Sequence, residues 1–325
     1  MGNSKHCFPL FDAHDPLPVE LWAPDAKAPI LFCCDHADRI VPARLNRLGL
    51  HPDVFDRHIA YDIGAAAVTR RLAEYFHAPA VLSVYSRLVI DVNRAWSDSS
   101  LIPLRSDGVS IPGNHNLSHA DVQSRIDGCL MPYYCALDCA LERILTRGQT
   151  PILVSIHSFT PRMNDFDRPW EIGVLWDYDP RIPRPLILTL SETFRLRVGD
   201  NLPYSGRNTQ GGVIETFASP RGFPNVLIEL RQDLIYTDDG AAFWAALLME
   251  ALTPILQNPG LNCAELYPRP IGDRSFKPAP PFLQKNCPSK KLHWRKKTLT
   301  NVPDPCKNHS SGCGGVAQLV RAEES

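Results

Sequence analysis

The chain has 325 residues, enough for one large α/β domain or two small ones, and its 44% hydrophobic and 21% charged residues suit a globular protein with a buried core. A formal net charge of -1, with a pI near 6.8, argues against the broad basic footprint that nucleic acid or an acidic membrane surface requires. Any anion recognised here is therefore expected to meet a few placed arginines.

No apolar stretch is expected to span a bilayer, and residues 1–9 lack the charged-then-apolar order of a secretory signal. Cys33 and Cys34 sit in an apolar run, and Cys129, Cys135 and Cys139 fall inside one helical pattern. The ten cysteines read as small buried thiols of a reducing, cytoplasmic compartment. With no CxxC pair, a structural zinc knuckle has no support.

In chain order, residues 29–35 form a continuous apolar run that ends in Asp35 and His36, the pattern of a strand buried on both faces. Residues 61–76 carry a helical stripe at Tyr61, Ala65, Val68, Leu72 and Phe76. Strands are expected over 80–85 and 88–92, and a long helix, broken at Pro132, over 118–147. A buried strand at 151–156 runs into His157. Then come a strand at 172–176, a helix at 185–198, strands at 213–217 and 226–230, and an apolar helix at 241–256. This alternation predicts an α/β fold, a largely parallel sheet covered by helices on both faces. Ligands of such sheets bind beyond the carboxyl ends of the strands.

The domain is expected to cover residues 1–271, followed by a disordered basic tail over 272–325, rich in proline and lysine and without periodicity. Its end, residues 314–325, resembles an out-of-frame translation of a transfer-RNA gene. Read-through into a neighbouring gene and a natural basic tail are the two readings.

Three metal-capable side chains stand where buried elements begin or end: His36 after the first strand, Asp62 opening the next helix, and His157 closing the strand at 152–156. Imidazole and carboxylate are zinc donors, and a catalytic zinc site combines three protein ligands with one open position. Taken singly, each has an ordinary alternative, a hydrogen-bonded histidine or a helix cap. Glu229 interrupts an apolar strand, and a buried carboxylate needs an explanation. It is either an ion-pair partner of Arg231, on the same strand face, or a general base beside a metal. Arg87, Arg94, Arg168 and Arg231 are candidate clamps for substrate carboxylates, with structural pairing to Asp35, Asp62, Asp91 or Glu229 as the alternative. Asn114, in the turn Ile111-Pro-Gly-Asn114, could face a substrate. No G-x-S-x-G elbow, Walker or dinucleotide pattern occurs.

Seven segments occur in one order: Cys34-Asp-His-Ala, His58-Ile-Ala-Tyr-Asp-Ile-Gly-Ala65, Ser86-Arg-Leu-Val-Ile-Asp-Val-Asn-Arg94, Ile111-Pro-Gly-Asn114, Ser155-Ile-His-Ser-Phe-Thr-Pro161, Arg168-Pro-Trp170 and Ile228-Glu-Leu-Arg-Gln-Asp-Leu234. Together they resemble the N-formylglutamate amidohydrolase family over roughly residues 30–255. The resemblance implies a three-layer α/β fold similar to zinc-dependent exopeptidases, a twisted, mostly parallel (mixed) sheet flanked by helices, and a layout similar to zinc amidases acting on peptidoglycan. By that layout His36, Asp62 and His157 would bind one Zn2+ ion, or another divalent metal, with Asp35 or Asp38 as alternative carboxylate ligands. Glu229 would be the base. The implied reaction releases formate and glutamate from N-formylglutamate, at the end of histidine degradation. A related zinc amidase or deacylase with another N-acyl amino acid or a peptidoglycan-type amide is the second reading, and a non-enzymatic binding protein the third. The expected partner is a small molecule, not nucleic acid or membrane.

The chain departs from the family pattern at four places. Tyr61 stands for a usual Trp, Asp38-Arg39 for an Asn, and Tyr134 and Phe217 for histidines. The proposed metal set is untouched, whereas the substrate pocket is altered.

Overall fold

The computed structural model describes residues 10–207 and 212–268; the tail expected over 272–325 lies outside the described residues. Seven strands form the main sheet: β1 (Val19–Trp22), β2 (Ile30–Cys34), β3 (Ala80–Ser83), β4 (Ile152–Phe159), β5 (Ile172–Leu175), β6 (Val198–Asp200) and β7 (Asn225–Arg231). Their order across the sheet is β1-β3-β2-β4-β7-β5-β6. The central strands β3, β2, β4 and β7 are parallel. Antiparallel β1 closes one edge, and β5, antiparallel to β7, carries parallel β6 at the other.

Among the described residues the α-helices are α1 (Ala65–Tyr75), α2 (His119–Arg125), α3 (Met131–Leu145), α4 (Pro183–Leu188) and α5 (Asp238–Leu256). The run Ile-Leu-Phe-Cys-Cys of β2 is buried throughout because both sheet faces are covered. Its side chains alternate: Ile30, Phe32 and Cys34 join a core shared with α1, α4 and α5, and Leu31 and Cys33 join a second core shared with α3. The sheet covered on both faces expected from the alternation, and the mixed strand directions implied by the resemblance, are thus the observed ones. No disulfide joins the described cysteines, and Cys33, Cys34, Cys129 and Cys135 are buried.

One expectation about apolar stretches needs correcting. By length and composition α5 could cross a membrane, yet Ala241, Trp244, Leu248 and Leu252 pack into the first core.

Local hydrogen bonding overrides the apolar pattern in several segments. Residues 88–92 form turns, not a strand, because Ser86 accepts the Val89 and Leu88 amides with its carbonyl (2.9 Å) and hydroxyl (3.2 Å). Leu88, Val89, Ile90 and Val92 still reach the second core, so their apolarity is satisfied without a ladder. Residues 213–217 also fail to form a strand. A π-helical turn, Ile214–Ala218, puts Val213, Phe217 and Ala218 into the second core. The helix expected over 185–198 ends at Leu188, continues as a π-helical turn (Thr189–Thr193) and then extends into β6. The long helix does not break at Pro132: α2 passes through a π-helical turn (Ile126–Leu130) directly into α3, with Pro132 as the second residue of α3.

Candidate metal centre

The site lies on the α3 side of the sheet, at the carboxyl ends of β2 and β4. His36 follows β2 by two residues, and its carbonyl accepts the Asp62 amide at 2.9 Å, which pins the turn before α1 to that strand end. Asp62 therefore precedes α1 and does not open it; Gly64 is the cap. His157 lies within β4 rather than beyond its end, because the ladder to β7 runs on to Phe159.

His36, Asp62 and His157 are all buried and each offers a donor atom within 4.8 Å of the others, a group able to hold a metal ion. Both histidines aim Nδ1 at Oδ2 of Asp62, at 3.3 Å from His36 and 2.7 Å from His157. Each ring is held from behind through Nε2: His36 by Asp91 at 2.7 Å and His157 by Asp35 at 2.7 Å. A carboxylate behind an imidazole fixes its tautomer and orientation. With Nε2–H given to that carboxylate, each Nδ1 lone pair faces a carboxylate oxygen. Such electron-rich atoms repel unless a proton or a cation lies among them. The donor set therefore fits a metal ion.

The charges agree. Asp35, Asp62 and Asp91 are buried carboxylates, and Arg87 is the guanidinium among them, donating to Asp62 Oδ1 (3.3 Å) and Asp91 Oδ2 (2.7 Å). With His36 and His157 neutral, as metal ligation requires, these three carboxylates outnumber the guanidiniums of Arg87 and Arg94, and a divalent cation would offset the surplus. Burial alone would raise the Asp62 pKa, but His36 and His157 hold it well below the usual carboxylate range. For His157 burial opposes protonation, yet hydrogen bonds to Asp35 and Asp62 hold its pKa well above the ordinary value, so metal binding displaces a proton.

Asp35 emerges here as a support. It accepts the Tyr133 hydroxyl at 2.6 Å and the Ser155 hydroxyl at 3.3 Å while it orients His157. Its place beside His36 in sequence was visible, but not that it reaches His157 instead. Asp35→Asn is expected to weaken metal affinity by about 10–100-fold, read by competition with a chelator.

Glu229 stands on β7 directly opposite His157, so both side chains project from the same face. It is 6% exposed, and its Oε2 has no hydrogen-bond partner among the described residues. Burial pushes its carboxyl up to about 7. The ion pair with Arg231 is not formed: Arg231 is turned to Asp233, with Nε at 2.8 Å from Oδ1.

The family model for N-formylglutamate amidohydrolase matches residues 28–236. The chain belongs to the N-formylglutamate amidohydrolase family. It is 34% identical to a gene product of Agrobacterium tumefaciens of known crystal structure, with a TM-score of 0.73 over 76% of this chain and 98% of that one. The crystal structure of N-formylglutamate amidohydrolase from Ralstonia eutropha shares the fold at 17% identity, with a TM-score of 0.52 over 74% of this chain and 98% of that one. A comparison of the sequence with the curated proteins finds no match. As a member of this family the chain is an amide hydrolase with a small-molecule substrate.

Within this N-formylglutamate amidohydrolase relative, the candidate clamps divide. Arg87 supports Asp62 and Asp91, and Arg94 reaches Asp91 at 3.6 Å. Arg231 is taken by Asp233. Asn114 is a correction: its amide nitrogen donates to the carbonyls of Leu88 (2.9 Å) and Pro103 (2.7 Å) and its oxygen accepts from buried Arg125 (2.6 Å), so it is buried and braces the 88–92 turns from within the fold. Arg168 differs from the others. It is 7% exposed, has no carboxylate partner among the described residues, and donates to the Tyr204 hydroxyl at 3.1 Å. Tyr204 carried no sequence signal, because its neighbours come from distant segments.

The four departures from the family pattern fall into touching pairs. Arg39 lies over the Tyr61 ring, 5.4 Å from its centroid, and Tyr134 meets Phe217 edge-on at 5.1 Å. Each change thus sits against another, and the Tyr134–Phe217 pair is an apolar wall in the second core.

Proposed function

We propose that this protein is a zinc-dependent amidohydrolase that removes the formyl group of N-formylglutamate, giving formate and glutamate. The observation that carries the reading is the convergence of two Nδ1 atoms, each backed by a carboxylate, on Asp62 beside an unpartnered Glu229. His36, Asp62 and His157 would hold the ion, which when bound supplies a Lewis acid that polarises the amide carbonyl and acidifies water. Glu229, on the same sheet face as His157, takes the proton of the attacking water and returns it to the amine that leaves. Arg168, buried with no carboxylate partner among the described residues, receives a substrate carboxylate as a charge-assisted pair. The reading places the enzyme in the cytoplasm.

A second substrate, another N-acyl amino acid, is favoured by the apolar Tyr134–Phe217 contact at positions where the family pattern has histidines. One experiment separates the two. N-formyl, N-acetyl and peptidyl glutamates are offered to the purified chain with and without chelator, and released amine is measured. Hydrolysis of the formyl compound alone, abolished by chelator and restored by zinc, is the expected result. Chelator-resistant hydrolysis would overturn the metal mechanism, and preference for another acyl group would overturn the substrate.

A further inference from the structure

His157, Glu229, Gly173 and Gly199 form one row across four neighbouring strands. Glu229 is paired with His157 on β4 and with Gly173 on β5, and Gly173 is paired with Gly199 on β6. Directly paired residues put their side chains on the same face, so the two glycines lie beside the metal centre with no side chains of their own. What fills that space is backbone. A Cβ on Gly173 would come within 2.3 Å of the Leu202 carbonyl oxygen, and one on Gly199 within 2.4 Å of the same atom.

The strap over these glycines is fastened at both ends. The Asn201 amide donates to Val174 O at 3.0 Å, and the Asn201 side chain accepts from the amides of Trp176 (3.0 Å) and Gly206 (2.9 Å). Tyr204 stands between these fastenings, 40% exposed, with its ring 5.0 Å from the Arg168 guanidinium and its hydroxyl oxygen accepting from that group. A phenol oxygen that accepts a hydrogen bond keeps its own proton free to donate elsewhere.

Resting on the amidohydrolase reading above, we propose that Tyr204 is a further catalytic residue, the hydrogen-bond donor to the carbonyl oxygen of the scissile amide. The glycine row lets the strap cross the sheet face next to Glu229, and the Arg168 bond would set the hydroxyl between a carboxylate anchor on one side and Glu229 on the other. In an N-acyl amino acid the α-carboxylate and the amide are separated by one carbon, so a donor between the two anchors meets the amide. The phenol stays protonated: burial raises its pKa and the Glu229 carboxylate raises it further. A donor aimed at the oxygen where charge develops acts on the transition state more than on the bound substrate.

The test uses the full chain, wild type and Tyr204→Phe, with kcat and KM measured on the best substrate of the acyl-amino-acid panel, zinc content measured on the same samples, and thermal melting as a check of folding. Tyr204→Phe is expected to lower kcat by about 100-fold, the loss typical of one oxyanion donor, with KM and zinc content little changed. Gly173→Ala, which pushes the Leu202 carbonyl away but keeps the phenol, is expected to lower kcat in the wild-type background and to add little to Tyr204→Phe. An unchanged kcat in Tyr204→Phe, or a rise in KM alone, would overturn the proposal. A wild-type chain inactive on the whole panel would instead bring down the amidohydrolase reading, and this inference with it.

Discussion

Glu229→Gln is expected to leave the metal bound and to lower turnover by about two to four orders of magnitude, the usual range for loss of a general base. Glutamine keeps the shape of the side chain, and Glu229 forms no hydrogen bond through Oε2 that the change would break. The residue is not among the three that converge as donors, so metal content should not fall. What disappears is a carboxylate that can accept a proton. Its pKa is pushed up to about 7 by burial, and a nearby cation pulls it lower. The base works ionised, so wild-type activity should rise with pH along a limb lying at or below about 7, and the variant's residual activity should lack that limb. A pH–rate profile of both proteins, with zinc assayed in parallel, checks this. Near-normal turnover in Glu229→Gln would remove Glu229 from the reaction.

His157→Ala should act differently, on the ion and on the fold. The ring is 3% exposed and bridges two buried carboxylates, Asp35 and Asp62, at 2.7 Å each. Removing it takes away one of three donors, and a site with two ligands should not retain zinc at micromolar concentration. It also leaves both acids short of a partner in a buried setting. Breaking such a pair costs about 3–5 kcal/mol, a large share of the stability of an ordinary domain. Tyr133 and Ser155 still hold Asp35, and Arg87 still holds Asp62, so the lower end of that range is expected. Urea unfolding of the metal-free proteins measures this loss apart from any stabilisation by zinc.

Much of this site can be read from sequence for one physical reason: a buried strand in a parallel sheet must be apolar, so a polar residue that follows or interrupts the apolar run is conspicuous. That is why His36 after Cys34, His157 after Ile156 and Glu229 within Ile228-Glu-Leu230 stand out. The same logic fails where a short apolar segment satisfies its backbone locally. Residues 88–92 and 213–217 have strand-like composition, but Ser86 and helical bonds from Gly212 onward make turns of them. Arginines are the least legible class. Arg87, Arg94, Arg168 and Arg231 look alike in sequence, and only the positions of Asp91, Asp233 and Tyr204 show which guanidinium lacks an acid. Asn114 was misleading for a related reason. A polar residue in a turn suggests exposure, yet its turn is folded inward onto Arg125. The Leu202 carbonyl, two residues before Tyr204, lies over Gly173 and Gly199, residues whose absent side chains matter only once the strands are aligned.

The binding of one ion by His36, Asp62 and His157 is tested most directly by diffraction from zinc-loaded crystals, measured on both sides of the zinc absorption edge. A single anomalous peak bonded to all three side chains is the expected result. A zinc-loaded crystal with no peak there, or with its peak on other residues, would contradict it.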